Sequence, residues 1–390
     1  MRCAEYYERE YGRAPEAVAF APYRVCPIGA HVDHNLGKTM GFAIDRGVRI
    51  AYAAEESGAV EVRSLQFPGC AHWRVDGVPP ERLGDWADHL RGATLALGRR
   101  FALRAGLRAV IEGELPIGGL SSSAAVILAF LSALCAVNGI HLSGEDWVSI
   151  AREAENQYVG VACGKLDQSC EVYGKKGQLL YMDFQEGSFS RIPPAAGMKP
   201  FVIAVFFSGI TRALAGGGYN TRVDELRGAA YALKAYAGME YGAFAQTNMR
   251  DVPLEVYQAH GARLPEPWRR RAEHWFSEMA RVEEGVEAWR RGDLAAFGRL
   301  CLASGRSSIE NWQTGSAELI QLHEILSRTE GVYGGRFSGA GFKGCCVALV
   351  DPALAESAAR SVASAYAKAF PALAEAFSAH ICHSADGIQP

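Results

Sequence analysis

Hydrophobic and polar positions follow strand and helix periods in turn along most of the chain. Alternation typical of strands occupies residues 45–54 and 59–65, and acidic and aromatic residues at helical spacing occupy residues 4–11. The segment FVIAVFFS, which begins at Phe201, is apolar throughout and predicts a buried strand. The longest apolar run, residues 124–137, lies in a predicted helix that is apolar on all sides and hence buried. Strand and helix patterns recur in both halves, which predicts a fold of the α/β and α+β classes.

Longer amphipathic patterns predict further helices and a division of the chain. The predicted helices cover residues 145–158, 219–238, 269–290, 316–329 and 353–369, the last ended by Pro371. The polar, proline-bearing segment 185–197 predicts a linker. Because 390 residues exceed the length at which single cores stop growing, we expect two domains, residues 1–195 and 196–390.

Composition and charge exclude several classes of protein. Apolar residues make up 49% and charged residues 21% of the chain, which is typical of a globular protein rather than a disordered one. The net charge of -3 provides no basic face for nucleic acid. The ten cysteines show no metal-ligand spacing, so we expect them to be reduced. The N-terminus lacks the apolar core of a signal peptide, and the run 124–137 is shorter than a membrane span. We therefore expect a cytoplasmic protein, monomeric or a small homo-oligomer, without nucleic-acid or membrane partners.

A glycine- and serine-rich loop lies between a predicted strand and the buried helix. Its sequence, PIGGLSSSAA, covers residues 116–125. Glycines let the backbone approach a ligand, serines offer hydroxyl groups, and the first N–H groups of the following helix attract anions. The loop is a candidate phosphate site, and a buried helix with a serine N-cap is the alternative. A Walker P-loop is excluded, because GxxxxGK[ST] occurs nowhere.

A second glycine-rich motif, GAGFKG at residues 339–344, formally matches the dinucleotide fingerprint GxGxxG. That fingerprint must open a helix, whereas here CCVALV follows and predicts a strand. An NAD-dependent enzyme would depend on this motif alone. We expect instead a tight turn that packs against the phosphate loop or the substrate.

Together with the run RVCPIGAHVDHNLGK at residues 24–38, these motifs form an ordered series. The series resembles the galactokinase branch of the GHMP small-molecule kinases. Galactokinases carry, in order, RVNLIGEHTDYNGG, PxGxGLSSSA, GIMDQ, a Tyr-x-x-Arg-like segment and GGGFGG. The matching segments of this chain are residues 24–37, 116–124, 164–168, 219–222 and 339–344.

The resemblance implies a fold and an activity. The expected fold is the two-domain GHMP kinase fold, with an N-terminal domain like domain 2 of ribosomal protein S5 and a ferredoxin-like C-terminal domain. The expected activity is transfer of the γ-phosphoryl group of ATP, with Mg²⁺, to the anomeric hydroxyl of a free sugar. Asp167 would take or polarise the proton of the sugar's O1, and Arg24 would stabilise the developing charge. A helix cap and a structural ion pair are the respective alternatives for Asp167 and Arg24.

The resemblance also implies which residues bind ATP and the metal. The expected ATP-binding residues are Gly118, Gly119, Leu120, Ser121, Ser122, Ser123, Gly339 and Gly341. Mg²⁺ prefers oxygen ligands and keeps several waters, so Ser123 and Glu155 are the expected metal ligands. The loop is one residue shorter than PxGxGLSSSA, which leaves its phosphate contacts open.

The sugar site departs from the family at one position. The resemblance implies substrate contacts from Ala30, His31, Asp33, Gly164 and Tyr219. Ala30 stands where galactokinases have a glutamate that accepts a hydrogen bond from the hydroxyl at C6 of galactose. A glutamate about 4 Å from a C6 carboxylate would repel it by roughly 4 kcal/mol, whereas one lost hydrogen bond costs galactose about 0.5–1.5 kcal/mol. Ala30 therefore favours an acidic sugar, D-galacturonate.

Three cations are candidates for meeting that carboxylate, namely Lys165, His34 and Lys38. The run PYRVCPIGAHVDH also resembles that of plant galacturonokinases, a branch of the same family. L-arabinose, which has no C6, and galactose itself stay open as substrates. A non-catalytic sensor that binds sugar and ATP is the alternative from another class, since such proteins tend to lose part of the phosphate loop.

Overall fold

The structure is a computed structural model that describes residues 1–210 and 218–388. Its strands are β1 Ala17–Val25, β2 Lys38–Glu55, β3 Ala59–Ser64, β4 Cys70–Arg74, β5 Gly106–Gly113, β6 Leu179–Asp183, β7 Ser188–Ile192, β8 Val202–Phe207, β9 Val332–Phe337, β10 Cys345–Val350, β11 Ser378–Cys382 and β12 Ser384–Ala385. Its α-helices are α1 Arg2–Tyr11, α2 Asp88–Gly98, α3 Ser122–Asn138, α4 Gly144–Glu153, α5 Leu166–Tyr173, α6 Gly218–Tyr236, α7 Leu254–His260, α8 Glu266–Arg290, α9 Leu294–Glu310, α10 Ala317–Leu326 and α11 Ala355–Ala369. Among these described helices none is long and apolar enough to cross a membrane.

The first sheet is built around the long strand β2. Its order is β4-β3-β5-β2-β6-β7, and β1 and β12 also pair with β2. The pairs are antiparallel except for β3 with β5, which is parallel. The apolar helix α3 packs in the core beneath this sheet, with Ile127 and Phe130 fully buried. The connection from β1 to β2, residues 26–37, is the sugar loop, and it contains most of the run RVCPIGAHVDHNLGK.

The second sheet, of order β11-β8-β10-β9, is antiparallel, and its central strands β8 and β10 are buried on both faces. Alternate residues of β8, such as Ala204 and Phe206, pack with helices α10 and α11. Their neighbours, such as Val205 and Phe207, enter the larger core shared with the first sheet. Successive side chains of a strand point to opposite faces, so a strand buried on both sides reads as an unbroken apolar run. This arrangement explains the segment FVIAVFFS.

The predicted helices 219–238 and 269–290 are confirmed as α6 and α8, and the mixed class is confirmed as well. The predicted linker 185–197 is wrong in part, because strand β7 lies within it and pairs with β6. The patterns also missed α2 and α9. Helix α9 contains glycines that lower helix propensity, and Gly298 is required because an added Cβ would lie 1.9 Å from the carbonyl oxygen of Tyr333.

The proposed division of the chain after residue 195 falls between β7 and β8. Strand β12 nevertheless returns to the first sheet, where Ser384 pairs with Ile44. The main core cluster also includes residues from both sheets. The division remains a proposal about folding units.

Candidate active site

A cavity of about 260 Å³ brings the separate sequence motifs together. It is lined by residues from β1, the β1–β2 connection, the phosphate loop, α5, α6 and the turn after β9. The lining residues are Arg24, Cys26, Ala30, His31, Asp33, Gly119, Ser121, Ser122, Ser123, Glu155, Val161, Cys163, Gly164, Leu166, Asp167, Tyr219, Phe337, Gly339 and Ala340.

A buried arginine and a carboxylate form the centre of the cavity. Nε of Arg24, on β1, donates a 2.9 Å hydrogen bond to Oδ1 of Asp167, at the start of α5. The Arg24 side chain is 3% exposed and that of Asp167 is 26% exposed. Burial alone would lower the pKa of Arg24, but the Asp167 carboxylate outweighs burial and raises that pKa above its ordinary value. Arg24 therefore stays charged, and the Asp167 carboxylate is open to a ligand.

Arg24 also joins the phosphate loop to the turn after β9. Its Nη1 atom donates 3.3 Å hydrogen bonds to the carbonyl oxygen of Gly119 and to the hydroxyl of Ser338. The loop and the turn touch, because a Cβ added to Gly344 would lie 2.5 Å from the carbonyl carbon of Gly118. The motif GAGFKG leads into strand β10, as expected, and does not open a helix.

The phosphate loop ends at the N-terminus of α3. Ser121 occupies the N-cap position at φ +56°, yet its side chain makes no cap hydrogen bond. Its Oγ atom is buried and has no partner among the described residues. A capping role therefore does not explain Ser121, and its hydroxyl is available to a ligand beside the first N–H groups of α3.

The sugar loop places a second carboxylate, that of Asp33, beside α5. Oδ2 of Asp33 accepts a 3.2 Å hydrogen bond from the amide of Leu166. A Cβ at Gly164 would lie 2.1 Å from that oxygen, so only glycine lets the two segments meet. Burial, with Asp167 nearby, raises the pKa of Asp33 to about 6. Tyr219, at the start of α6, completes this wall.

Glu155 and Ser123 meet on the side of the phosphate loop. Glu155 lies in the π-helical turn Ala154–Val159 and is 4% exposed. Burial and the Asp167 charge raise the pKa of Glu155 to about 7, against hydrogen bonds from Ser123, Cys163 and Gln168. A hydroxyl and a carboxylate beside an open cavity suit Mg²⁺, which needs few protein ligands when phosphates and waters supply the others.

Some expected residues lie outside the cavity lining as described. Lys165 is the one expected substrate residue that does not line it, and among the expected ATP residues Gly118, Leu120 and Gly341 do not line it either. The two other candidate cations also lie elsewhere. Lys38 forms a 2.8 Å ion pair with Glu283, and the buried ring of His34 packs on Trp312 instead of facing the cavity.

Residues behind the sugar loop were not identified from sequence. Glu278, on α8, accepts hydrogen bonds from the amides of Gly29 and Ala30 at 2.7 and 3.3 Å. Nε2 of His274 lies 3.0 Å from the carbonyl oxygen of Ala30. Both residues lie within the amphipathic pattern of α8, which does not distinguish them from other helix positions. The available clue in the sequence was that these two polar residues fall on the apolar, buried face of the helix.

Two charged partners keep Glu278 ionised. The fully buried Glu278 carboxylate lies 2.7 Å from Nε of Arg281 and 3.5 Å from Nη1 of Arg336. Burial opposes ionisation, but Arg281, His274 and Arg336 lower the pKa of Glu278 to about 2. The amides of the sugar loop are thus held by a permanent negative charge from another part of the chain.

Comparisons with known proteins agree with this architecture. Residues 88–175 match the GHMP kinases N terminal domain, residues 286–368 the GHMP kinases C terminal family, and residues 5–54 the galactokinase galactose-binding signature. The chain is 40% identical to the galacturonokinase of Arabidopsis thaliana over 92% of this chain and 88% of that protein. It is 33% identical to the galactokinase of Roseiflexus sp. over 98% of this chain and 95% of that protein.

Solved structures give the same result. The crystal structure of Lactococcus lactis galactokinase complexed with galactose superposes with a TM-score of 0.88 at 26% identity, covering 98% of this chain and 97% of that one. A mevalonate kinase shares the fold alone, with a TM-score of 0.67 at 15% identity, covering 95% of this chain and 100% of that one. The expected two-domain GHMP kinase fold is therefore confirmed. This chain belongs to the galactokinase family of GHMP kinases.

Proposed function

We propose that this sugar kinase uses ATP to phosphorylate the anomeric hydroxyl of D-galacturonate. The observation that carries the proposal is Ala30, which lines the cavity where the galactokinase motif has glutamate. The 40% identity to a galacturonokinase supports the same substrate. Asp33, Gly164 and Tyr219 line the cavity as expected for a galacto-configured sugar.

Asp167 and Arg24 are the proposed catalytic residues. The Asp167 carboxylate accepts the proton of the sugar's O1 as that oxygen attacks the γ-phosphorus of ATP. The bond between that phosphorus and the β–γ bridging oxygen breaks, and ADP leaves. Arg24 orients the carboxylate through its hydrogen bond, and its positive charge stabilises the charge that develops on the transferred group. Phosphoryl transfer depends mainly on such positioning and charge neutralisation.

The phosphate loop and the turn after β9 are the proposed ATP site. Ser121, Ser122 and Ser123 offer hydroxyls at the N-terminus of α3, where helix amides favour phosphate oxygens. Ser123 and Glu155 would hold Mg²⁺. The metal, when bound, would neutralise phosphate charge during transfer.

The charge of the residue at position 30 affects binding of galacturonate, an acid, more than binding of galactose, a neutral hexose. Asp33, Asp167 and Glu155 already line the cavity, and a further glutamate at residue 30 would repel a C6 carboxylate by roughly 4 kcal/mol, about a thousandfold in affinity. Galactose would lose only about 0.5–1.5 kcal/mol without that glutamate. The alanine therefore matters more for galacturonate than for galactose.

L-arabinose is the second candidate substrate. The side chain of Ala30 packs in an apolar cluster with Cys26 and Leu166. An apolar wall suits a pentose that carries no group at C6. Only a direct comparison of the sugars separates the two substrates.

The test is release of ADP with purified enzyme, ATP and Mg²⁺ in the presence of D-galacturonate, D-galactose or L-arabinose. We expect kcat/KM for galacturonate to exceed that for galactose at least tenfold. Galactose or arabinose in first place by the same margin would refute the uronate. Sugar binding without any ADP release would favour the sensor.

A further inference from the structure

Helix α6 carries an arginine that lies next to both substrate sites. Arg222 is three positions after Tyr219, which lines the cavity, so the two residues lie on the same side of the helix. Arg222 itself is not among the described residues that line the cavity. It therefore acts, if it acts on the reaction at all, through the residues that it holds.

The guanidinium of Arg222 binds three backbone carbonyl groups. Nε donates a 2.8 Å hydrogen bond to the carbonyl oxygen of Trp312, and Nη2 donates one of 2.7 Å to that of Gln313. Nη1 donates a 2.9 Å hydrogen bond to the carbonyl oxygen of Gly218, at the start of α6. A planar guanidinium can bind two adjacent carbonyls at once, which a lysine ammonium cannot do in the same way. Arg222 thus ties the start of α6 to the segment that follows α9.

The segment that follows α9 supports the sugar loop. Trp312 is fully buried, and its ring stacks on that of His31 with centroids 5.3 Å apart and planes inclined by 9°. Gln313 has φ +56°, a backbone conformation that is unfavourable for a residue with a side chain. Such a conformation persists only where the surrounding structure holds it. The two hydrogen bonds from Arg222 to this segment therefore help to fix the ring beneath the sugar loop.

Arg222 also contacts the turn after β9, which belongs to the proposed ATP site. Its Cζ atom lies 5.1 Å from the centre of the Phe342 ring, a cation–π contact. The start of α6 touches the same ring, since a Cβ added to Gly218 would lie 3.0 Å from Cζ of Phe342. The segment after α9 joins this contact, because the amide of Gly315 donates a 2.8 Å hydrogen bond to the carbonyl oxygen of Gly341. One guanidinium therefore contacts structures that belong to both substrate sites.

We infer that Arg222 is a positioning residue that couples sugar binding to ATP binding. The inference rests on the proposed positions of the two substrates and does not depend on which sugar is bound. ATP that orders the turn after β9 also fixes Phe342 and the guanidinium, and the guanidinium fixes Trp312 beneath the sugar loop. The sugar then has less structure left to order when it binds. Because coupling between two binding sites is reciprocal, bound sugar favours ATP by the same factor.

The test measures sugar affinity with and without nucleotide. The sugar is whichever of D-galacturonate, D-galactose and L-arabinose gives the highest kcat/KM. Titration calorimetry gives its dissociation constant for the enzyme alone and for the enzyme saturated with Mg²⁺ and a non-hydrolysable ATP analogue. In wild type we expect the analogue to lower this constant at least fivefold. In Arg222→Met, which keeps a long side chain without donors or charge, the factor should fall below about twofold.

Arg227→Met is the matched control on the same helix. Cζ of Arg227 also lies over a phenylalanine ring, 6.0 Å from the centre of Phe244, and Nη1 lies 3.8 Å from Asp224. These contacts lie on α6 and in the turn Phe244–Gln246, away from the turn after β9. The control should keep the wild-type factor within about twofold. A residue that only stabilises the fold would change the amount of active enzyme and leave the factor unchanged.

Two results would overturn the inference and leave the proposed substrate intact. The first is a wild-type enzyme in which the analogue does not change the sugar affinity. The second is a variant Arg222→Met that keeps the wild-type factor. A higher kcat/KM for galactose than for galacturonate would instead refute the proposed substrate, and the coupling would then be measured with galactose.

A second variant covers the case in which Arg222→Met does not fold. Phe342→Leu keeps the three hydrogen bonds of Arg222 and an apolar side chain but removes the aromatic face. Phe342 is only partly buried, so leucine should be tolerated there. We expect the factor by which nucleotide strengthens sugar binding to fall to less than half of the wild-type value. In that case an unchanged factor would overturn the inference.

Discussion

The carboxylate of Glu278 accepts a 2.7 Å hydrogen bond from the amide of Gly29, although 249 positions separate the two residues. Glu278 also binds the hydroxyl of Ser304 and pairs with Arg281 and Arg336. The loop that presents Ala30 and His31 is therefore shaped by a charge on helix α8. Substitutions on α8 should therefore change the affinity for the sugar, although the substituted residues do not contact it.

We expect Glu278→Gln to lower the free energy of unfolding by about 3–5 kcal/mol, because it leaves buried arginines without their partner. KM for the sugar should rise, and urea denaturation with sugar kinetics would measure both effects. The control is Glu283→Gln on the same helix, where the carboxylate is 62% exposed and pairs with Lys38. Its effect should stay below about 1 kcal/mol. Equal losses in the two variants would argue against a holding role for Glu278.

The lowered pKa of Glu278, about 2, makes this stabilisation dependent on pH. In the unfolded chain the group titrates at its ordinary, higher pKa. Its contribution is therefore present above that ordinary value and is lost as pH falls through the folded value. Acid denaturation curves of wild type and Glu278→Gln should converge toward pH 2. Parallel curves down to that pH would contradict the assignment.

Asp167→Asn should lower kcat by about 10²- to 10⁴-fold, because an amide cannot accept the proton of O1. Sugar and ATP should still bind, with dissociation constants within about tenfold of wild type. Single-turnover kinetics and calorimetry would measure the two effects separately. Retention of most of kcat would show that Asp167 only anchors Arg24.

Ala30→Glu should shift preference toward galactose. Repulsion of roughly 4 kcal/mol predicts about a thousandfold loss of kcat/KM for galacturonate, whereas galactose should gain up to about tenfold. Ala30→Gln adds similar bulk without charge and separates the two effects. If the glutamine variant lost galacturonate activity as strongly as the glutamate variant, crowding and not charge would explain the selectivity.

Glu171→Gln should stabilise the protein at alkaline pH. Glu171 is fully buried, and its carboxyl oxygens have no partner among the described residues. Burial, with the charge of Asp167 nearby, raises the pKa of Glu171 well above its ordinary value. As pH rises past that ordinary value, the unfolded chain ionises first and folding stability falls.

The glutamine variant has no such ionisation, so by pH 8 it should be more stable than wild type by about 1 kcal/mol or more, with little difference near pH 4. Thermal melting across this range would measure the change. Glu145→Gln, at an exposed position of the adjacent α4, is the control and should show no such trend. A constant difference at every pH would mean that Glu171 is already ionised in the fold.

Local patterns predicted the elements that obey a clear period. The apolar run after Phe201 became β8, and the amphipathic stretch 269–290 became α8. Helix α9 was not predicted because its glycines lower helix propensity, and Gly298 is required by its close contact with the backbone of Tyr333 on β9. Strand β7 was not predicted because its residues are mostly exposed and polar, a pattern that also fits a linker. It forms a strand because it pairs with β6, a contact that the local pattern does not show.

The amino-acid sequence by itself determined the order of the motifs, the family and the alanine at residue 30, since these depend on residue identity and spacing alone. Only the tertiary structure decided which side chains meet. Arg24 and Asp167 are 143 positions apart, and no local pattern could place Lys165 outside the cavity or leave Nε2 of His31 without a partner inside it. Such contacts depend on how helices and sheets dock, because residues far apart in the chain become neighbours only when the core forms.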